Sequence, residues 1–365
     1  MIPVSRPAID RSDIEYVKRV MRDTFVTGGP QIAEFEEKIA GYCGRKYAVT
    51  VTNATSALAI AVRALKLTPK SKILVPSFTI VSLIHAIIIN GHKPVIIDID
   101  PNTWNVSLKQ LREAIKKDIK AAIIPQTYSS APPMLEISEL LKRSGVMLIE
   151  DAAEGFGGSY NGKKFGSFGD ISILSFYANK LITTGEGGMI LTDDKKIHDQ
   201  CLSFRNLCFD KDRRFIHSDL SGNYRMTNLQ AALGLAQFKR INMFYRHREK
   251  LYQMYIKLLS PFYGKQIAFQ QIPKVIESSY WVFPILLLDE KHTADQIISQ
   301  LNEKGVEARH FFYPLERQPF IKEKYIPCPV SLNLWKYGIY LPLGNGIAEN
   351  EVERSSQALL DILSK

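Results

Sequence analysis

The chain is short of the features that would take it outside ordinary globular proteins. Only four cysteines occur in 365 residues (Cys43, Cys201, Cys208 and Cys328), with no CxxC pair among them. That spacing predicts reduced, buried thiols in place of disulfides or a zinc site. The seven histidines show no ligand spacing either, so no metal is expected. The most apolar run, IVSLIHAIII at 80–89, is too short to span a bilayer. The opening MIPVSRPAIDRSD lacks the basic start and apolar core of a secretory leader. A cytoplasmic protein without a membrane partner is the expectation.

Acidic residues are in deficit, 37 against 47 basic ones, for a net charge of +10. Such a balance suits either nucleic acid or an anionic small substrate. The basic residues are scattered, and the groups KDRR (211–214) and RHREK (246–250) have acidic neighbours and no aromatic interleaving. Nucleic acid is therefore not an expected partner, whereas a phosphate-bearing small molecule is compatible. With 45% hydrophobic residues the chain can fill a large core and a smaller second one.

What is present is a series of short apolar runs: KILVP (72–76), PVIIDID (94–100), AAIIPQ (121–126), VMLIED (146–151), ISILSF (171–176) and GMILT (188–192). They are apolar on both alternations, which predicts strands buried on both faces. Helices fit between the first four. One runs from Ser82 to Asn90 and stops at Gly91; another opens on a Ser107/Gln110 capping box; a third aligns Met134, Ile137 and Leu141 before Gly145. Alternating strands and helices predict an α/β fold with a mainly parallel sheet. Beyond 192 the helices lengthen, as in 226–241 with its Thr227/Gln230 capping box. From about 246 helix mixes with short strands such as WVFPILLL (281–288), so a large unit, 1–245, and a smaller α+β unit, 246–365, are expected.

Ligands of open α/β sheets bind at the carboxyl ends of parallel strands. Asp151 closes one apolar run, and Lys180, in SFYANKLITTGEGGMILT (175–192), is read as closing the next. A carboxylate and an amine delivered to one sheet edge suit pyridoxal phosphate, whose aldehyde forms a Schiff base with a lysine and whose ring nitrogen needs an acid beside it. Taken alone, Asp151 could equally cap the next turn. In TVTNATSALAIAVRAL (50–65), Thr55 and Ser56 stand at a helix start that would hold the phosphate, although a plain N-cap explains the same residues. GGSYNGKK (157–164) has the spacing of a nucleotide loop, but Lys164 follows the lysine and no helix does, which predicts a surface hairpin. His85, inside an apolar helix, is expected in the core.

The stretch EDAAEGFGGSYNGKKFGSFGDISILSFYANKLITTGEGGMILT, with TNATSAL, GNYRMTNLQAALGLAQ, ARHFFYPL and YLPL, resembles the DegT/StrS family of sugar-nucleotide aminotransferases. The resemblance implies fold-type I: a large domain built on a seven-stranded sheet, a smaller C-terminal domain, and a homodimer with shared active sites. It implies that Lys180 carries the cofactor and moves protons, and that Asp151 meets the ring nitrogen. Glu154 would lie near the ring hydroxyl. Thr55, Ser56 and Ser175 would hold the phosphate, with Asn223 reaching it from the other subunit. Ala54 and Ile80 would contact the cofactor, Ile80 where an aromatic ring is common. The implied reaction takes the amino group of L-glutamate, leaves pyridoxamine phosphate as the intermediate form, and delivers the group to a nucleotide-linked 4-keto-6-deoxyhexose for amino-sugar and polysaccharide (O-antigen) synthesis. GDP-4-keto-6-deoxymannose is the first expectation; dTDP- or UDP-linked 4-keto or 3-keto sugars come next, and a non-catalytic regulatory protein of the same fold last. Arg225, Arg309 and Tyr313 are the candidate substrate contacts. YSSAPPM (128–134), Tyr313 and Glu316 depart from the family's usual residues where the sugar pocket is expected.

Overall fold

Seven strands form the central sheet: β1 (Tyr47–Val51), β2 (Lys72–Pro76), β3 (Lys93–Ile97), β4 (Ile119–Pro125), β5 (Met147–Asp151) and, after the short hairpin β6 (Ser159–Tyr160) and β7 (Lys163–Lys164), β8 (Ile171–Ser175) and β9 (Gly188–Thr192). This computed structural model describes residues 1–115, 118–210, 212, 213, 215–289 and 291–364. Lys211 and Arg214 of the KDRR group lie outside the described residues.

The strand order is β1-β9-β8-β5-β4-β2-β3. Pairings β8 to β5, β5 to β4, β4 to β2 and β2 to β3 are parallel, and β9 runs antiparallel to both β8 and β1. The sheet is thus mainly parallel, as expected, with GMILT the reversed strand. Apolarity on both alternations has its reason in the packing. Ile73, Val75, Ile123, Ile149 and Ile173 join one core layer, and Leu74, Ile124, Leu148 and Leu174 join the other. A sheet covered on both faces buries both alternations along its central strands.

The helix signals act as expected. The helix Ser82–Ile89 stops before Gly91, whose φ of 74° a side chain would strain. Ser107/Gln110 and Thr227/Gln230 form reciprocal capping boxes on Leu108–Ala114 and Asn228–Phe238. GGSYNGKK supplies the hairpin β6–β7. The four cysteines are buried and free. His85 departs from expectation: it is exposed, because the buried stripe of its helix is Leu83, Ile84, Ala86 and Ile87.

The C-terminal part holds β10 (Ile267–Phe269), β11 (Ile276–Glu277), β12 (Phe283–Leu287), β13 (Arg309–His310) and β14 (Gly338–Leu341). Four of them form an antiparallel sheet in the order β10-β12-β14-β13, while β11 extends the β6–β7 hairpin. A 19-residue helix, Ile241–Leu259, leads into this unit. The expected boundary at 245/246 lies inside that helix, so we propose the whole helix as the join between the two units. The first residues of the chain pack back on the second unit: Ile2 bridges Val306, and the Val4 amide donates to Glu307.

Candidate active site

A cavity of about 320 Å³ opens at the carboxyl ends of β5 and β8. Asp151 is the last residue of β5 and is 4% exposed; its Oδ1 accepts a hydrogen bond from the Ala153 amide at 3.1 Å. Burial pushes its carboxyl up to about 6, against smaller lowering by the Ala153 amide and Lys180 and raising by Glu150. Three residues on, Glu154 accepts from the Tyr128 amide at 2.8 Å. Burial raises it too, opposed chiefly by Lys180.

Lys180 corrects the strand reading. β8 ends at Ser175, and the lysine sits five residues later in the turn before β9. It reaches the same sheet edge because the turn folds back: the Lys180 amide donates to Tyr177 and the Thr184 amide to Phe176. Its Nζ lies 3.7 Å from the centre of the Trp281 ring. Burial lowers its proton affinity, while Glu154 and Asp151 pull the other way. An amine and two carboxylates therefore share one enclosed space, each with its charged form disfavoured by burial.

The opposite wall is built by helix starts. Asn53 caps Ala54–Ala64, its Oδ1 accepting from the Ser56 amide at 2.8 Å. The Thr55 and Ser82 hydroxyls lie 2.9 Å apart, so the first turns of Ala54–Ala64 and Ser82–Ile89 meet at the cavity. Ser175 adds a third hydroxyl. The positive ends of two helices at one wall favour a negatively charged group there.

Of the residues expected here, the structure brings together Ala54, Thr55, Ile80, Asp151, Glu154, Ser175 and Lys180. Five others do not line this chain's cavity. Ser56 turns its hydroxyl to Thr52 at 3.2 Å, since the N-cap already takes its amide. Asn223 is exposed and accepts from the Arg225 amide, and Arg225 donates to Asn206. Arg309 pairs with Glu307 at 2.8 Å, and Tyr313 packs edge-on against Trp335.

Over residues 7–360 the chain matches the DegT/DnrJ/EryC1/StrS aminotransferase family. It belongs to that family. It is 34% identical over 352 residues to a GDP-perosamine synthase of Escherichia coli O157:H7, covering 96% of this chain and 95% of the relative. A GDP-perosamine synthase of Caulobacter vibrioides is 33% identical, with 99% and 98% covered. Among solved structures, the aminotransferase TlmJ of Streptoalloteichus hindustanus superposes with a TM-score of 0.94 at 24% identity over the whole of both chains.

The aminotransferases of this family depend on pyridoxal phosphate, and the cavity fits that group. A buried acid, an amine and an anion-binding pair of helix starts converge in one space. Gln126 also lines it, and its buried Oε1 has no hydrogen-bond partner among the described residues. Gln126, Ser82, Trp281, Phe312 and Tyr340 were not expected from the sequence. Ser82 carried a usable signal, a hydroxyl at a helix start. Phe312 and Tyr340 lie in the ARHFFYPL and YLPL stretches that carry the resemblance, where no cavity role was read for them, and Trp281 opens a stretch read only as a strand.

Proposed function

We propose that this aminotransferase moves the amino group of L-glutamate to the keto carbon of a nucleotide-linked 4-keto-6-deoxyhexose, with GDP-4-keto-6-deoxymannose the favoured acceptor. The observation that carries the reading is the convergence of Lys180, Asp151 and the Thr55–Ser82 helix starts on one cavity. The identity of about a third to the two GDP-perosamine synthases over nearly the whole chain supports a GDP-linked sugar. Pyridoxal phosphate, when bound, supplies an aldehyde and an electron sink.

The protein's part follows from its own groups. Lys180, its ammonium form disfavoured by burial, gives up its proton more readily than an ordinary lysine, and the amine so freed can bond an aldehyde or take a proton from the donor's α-carbon. Asp151 offers a carboxylate that a cationic ring nitrogen would pull back to its charged form. Glu154, fixed by the Tyr128 amide, faces the same amine. Thr55, Ser82, Ser175 and the helix amides hold the phosphate. Trp281, Phe312 and Tyr340 form an aromatic wall that excludes water. Asn223 and Arg225 of each chain serve the cavity of a neighbouring copy in a cytoplasmic homodimer.

Turnover of glutamate with GDP-, dTDP- and UDP-linked 4-keto-6-deoxy sugars, read as 2-oxoglutarate release, tests the assignment. The GDP sugar is expected to react fastest. Inert GDP substrates beside a reactive dTDP or UDP sugar would overturn the narrower choice, and no release with any acceptor would overturn the function. Mixing Lys180→Ala chains with Asn223→Ala chains checks the shared site: activity returns only if each copy completes the other's cavity.

A further inference from the structure

Arg248, on the helix Ile241–Leu259, is 1% exposed and has no carboxylate partner among the described residues. Its Nη2 donates to the carbonyls of Asn179 at 3.1 Å and Lys180 at 2.7 Å, and its Nε donates to Asn345 Oδ1 at 2.6 Å. Asn345 in turn donates to the carbonyl of Leu181 at 2.7 Å. Three successive carbonyls of the lysine turn thus end on two side chains from beyond residue 245. Nη1 makes no hydrogen bond, and the guanidinium lines a narrow gap shared with Glu154, Lys180 and Trp281.

An unpaired buried cation is unfavourable by several kcal/mol. Holding carbonyls does not require it, since a neutral amide donates equally well. What a guanidinium adds is a fixed positive charge, because it stays protonated at neutral pH even where burial opposes it. We propose that Arg248 is a positioning residue for Lys180: it clamps the turn that carries the lysine, and its buried charge disfavours the ammonium form of the neighbouring amine. This role rests on the aminotransferase reading of Lys180.

Other groups act on the same amine. Asp151 and Glu154 face it from the segment after β5 and favour the ammonium form, as does the Trp281 ring. Glu186 and Tyr177 from its own loop and Tyr340 from β14 line the same cavity. Against the two carboxylates stand burial, the larger influence, and Arg248.

The test is the pH profile of Lys180 acetylation by trace acetic anhydride, read by peptide mass spectrometry on the full chain freed of cofactor. Removing the charge in Arg248→Met is expected to raise the midpoint by about one pH unit, the size of a charge effect at close range in an interior of effective dielectric ~20. Arg248→Lys, which keeps the charge, and Asn345→Ala, which removes only part of the clamp, are expected to stay near the wild-type midpoint. Should the methionine variant not fold, Arg248→Gln makes the same comparison while keeping two donors. An unchanged midpoint on loss of the charge overturns the proposal, and so does an equal rise in Asn345→Ala. The labelling needs no cofactor, so failure of the aminotransferase reading shows separately, as no visible chromophore when the wild-type chain is given pyridoxal phosphate.

Discussion

Replacing Asp151 by asparagine is expected to stabilise the cofactor-free protein at neutral pH while abolishing its function. The carboxyl is held at about 6 by burial, against an ordinary 3.8. Between those values the folded chain binds a proton that the unfolded chain has released, so the stability contributed by Asp151 is complete below about 3.8 and is lost as pH rises through 6. At about 1.4 kcal/mol per pH unit, the full effect above pH 6 is on the order of 3 kcal/mol. Asparagine carries no charge and its carbonyl oxygen can still accept from the Ala153 amide, so it escapes that loss. Urea unfolding of the cofactor-stripped wild type and Asp151→Asn between pH 4 and 8 measures it. The two curves should meet near pH 4 and separate above pH 6 with the variant more stable. A variant equal to or weaker than the wild type at pH 7 would refute the claim that Asp151 is a strained buried acid awaiting a cationic partner.

Other perturbations have equally definite outcomes. Glu150 accepts from Gln126, Gly166, Phe168, Gly169 and Ser172 inside the core, so Glu150→Ala should destabilise by about 3–5 kcal/mol in thermal unfolding, and Glu150→Gln by less. A Cβ on Gly188 would lie 2.5 Å from the Asn53 carbonyl carbon. Gly188→Ala should therefore displace the helix start proposed to hold the phosphate and weaken pyridoxal phosphate binding about tenfold or more in a fluorescence titration, without touching the lysine. Trp281→Ala removes the ring beneath Lys180 and a packing partner of Tyr128; a loss of about 3 kcal/mol of stability is expected, and Trp281→Phe should recover most of it.

Legibility in the sequence followed the range of the forces involved. Six of the seven sheet strands, the capping boxes and the hairpin come from contacts between near neighbours or from uniform apolarity, and these show in a short window, whereas β1 was not among the apolar runs. Asp151 and Thr55 were readable for the same reason: one ends an apolar run and the other opens a helix. Lys180 lines the cavity with Asp151 but was placed wrongly at a strand end, because its apolar neighbours do not reveal that the turn after Ser175 folds back on itself. His85 was misplaced because a helix buried along one stripe still has an outward side, and apolar Ile88 and Ile89 on that side hid it.

The sequence by itself determined the apolar core strands, the family and the presence of an amine and an acid in the cavity, because each is written in short stretches of consecutive residues. Only the tertiary structure decided what surrounds that amine. Trp281 and Arg248, 101 and 68 residues further along the chain, meet Lys180, and Asn345, 165 residues on, holds the neighbouring Leu181 carbonyl. Local pattern does not encode such encounters: they depend on how the C-terminal part of the chain, packed around its own core cluster, brings its helix and loops against the lysine turn.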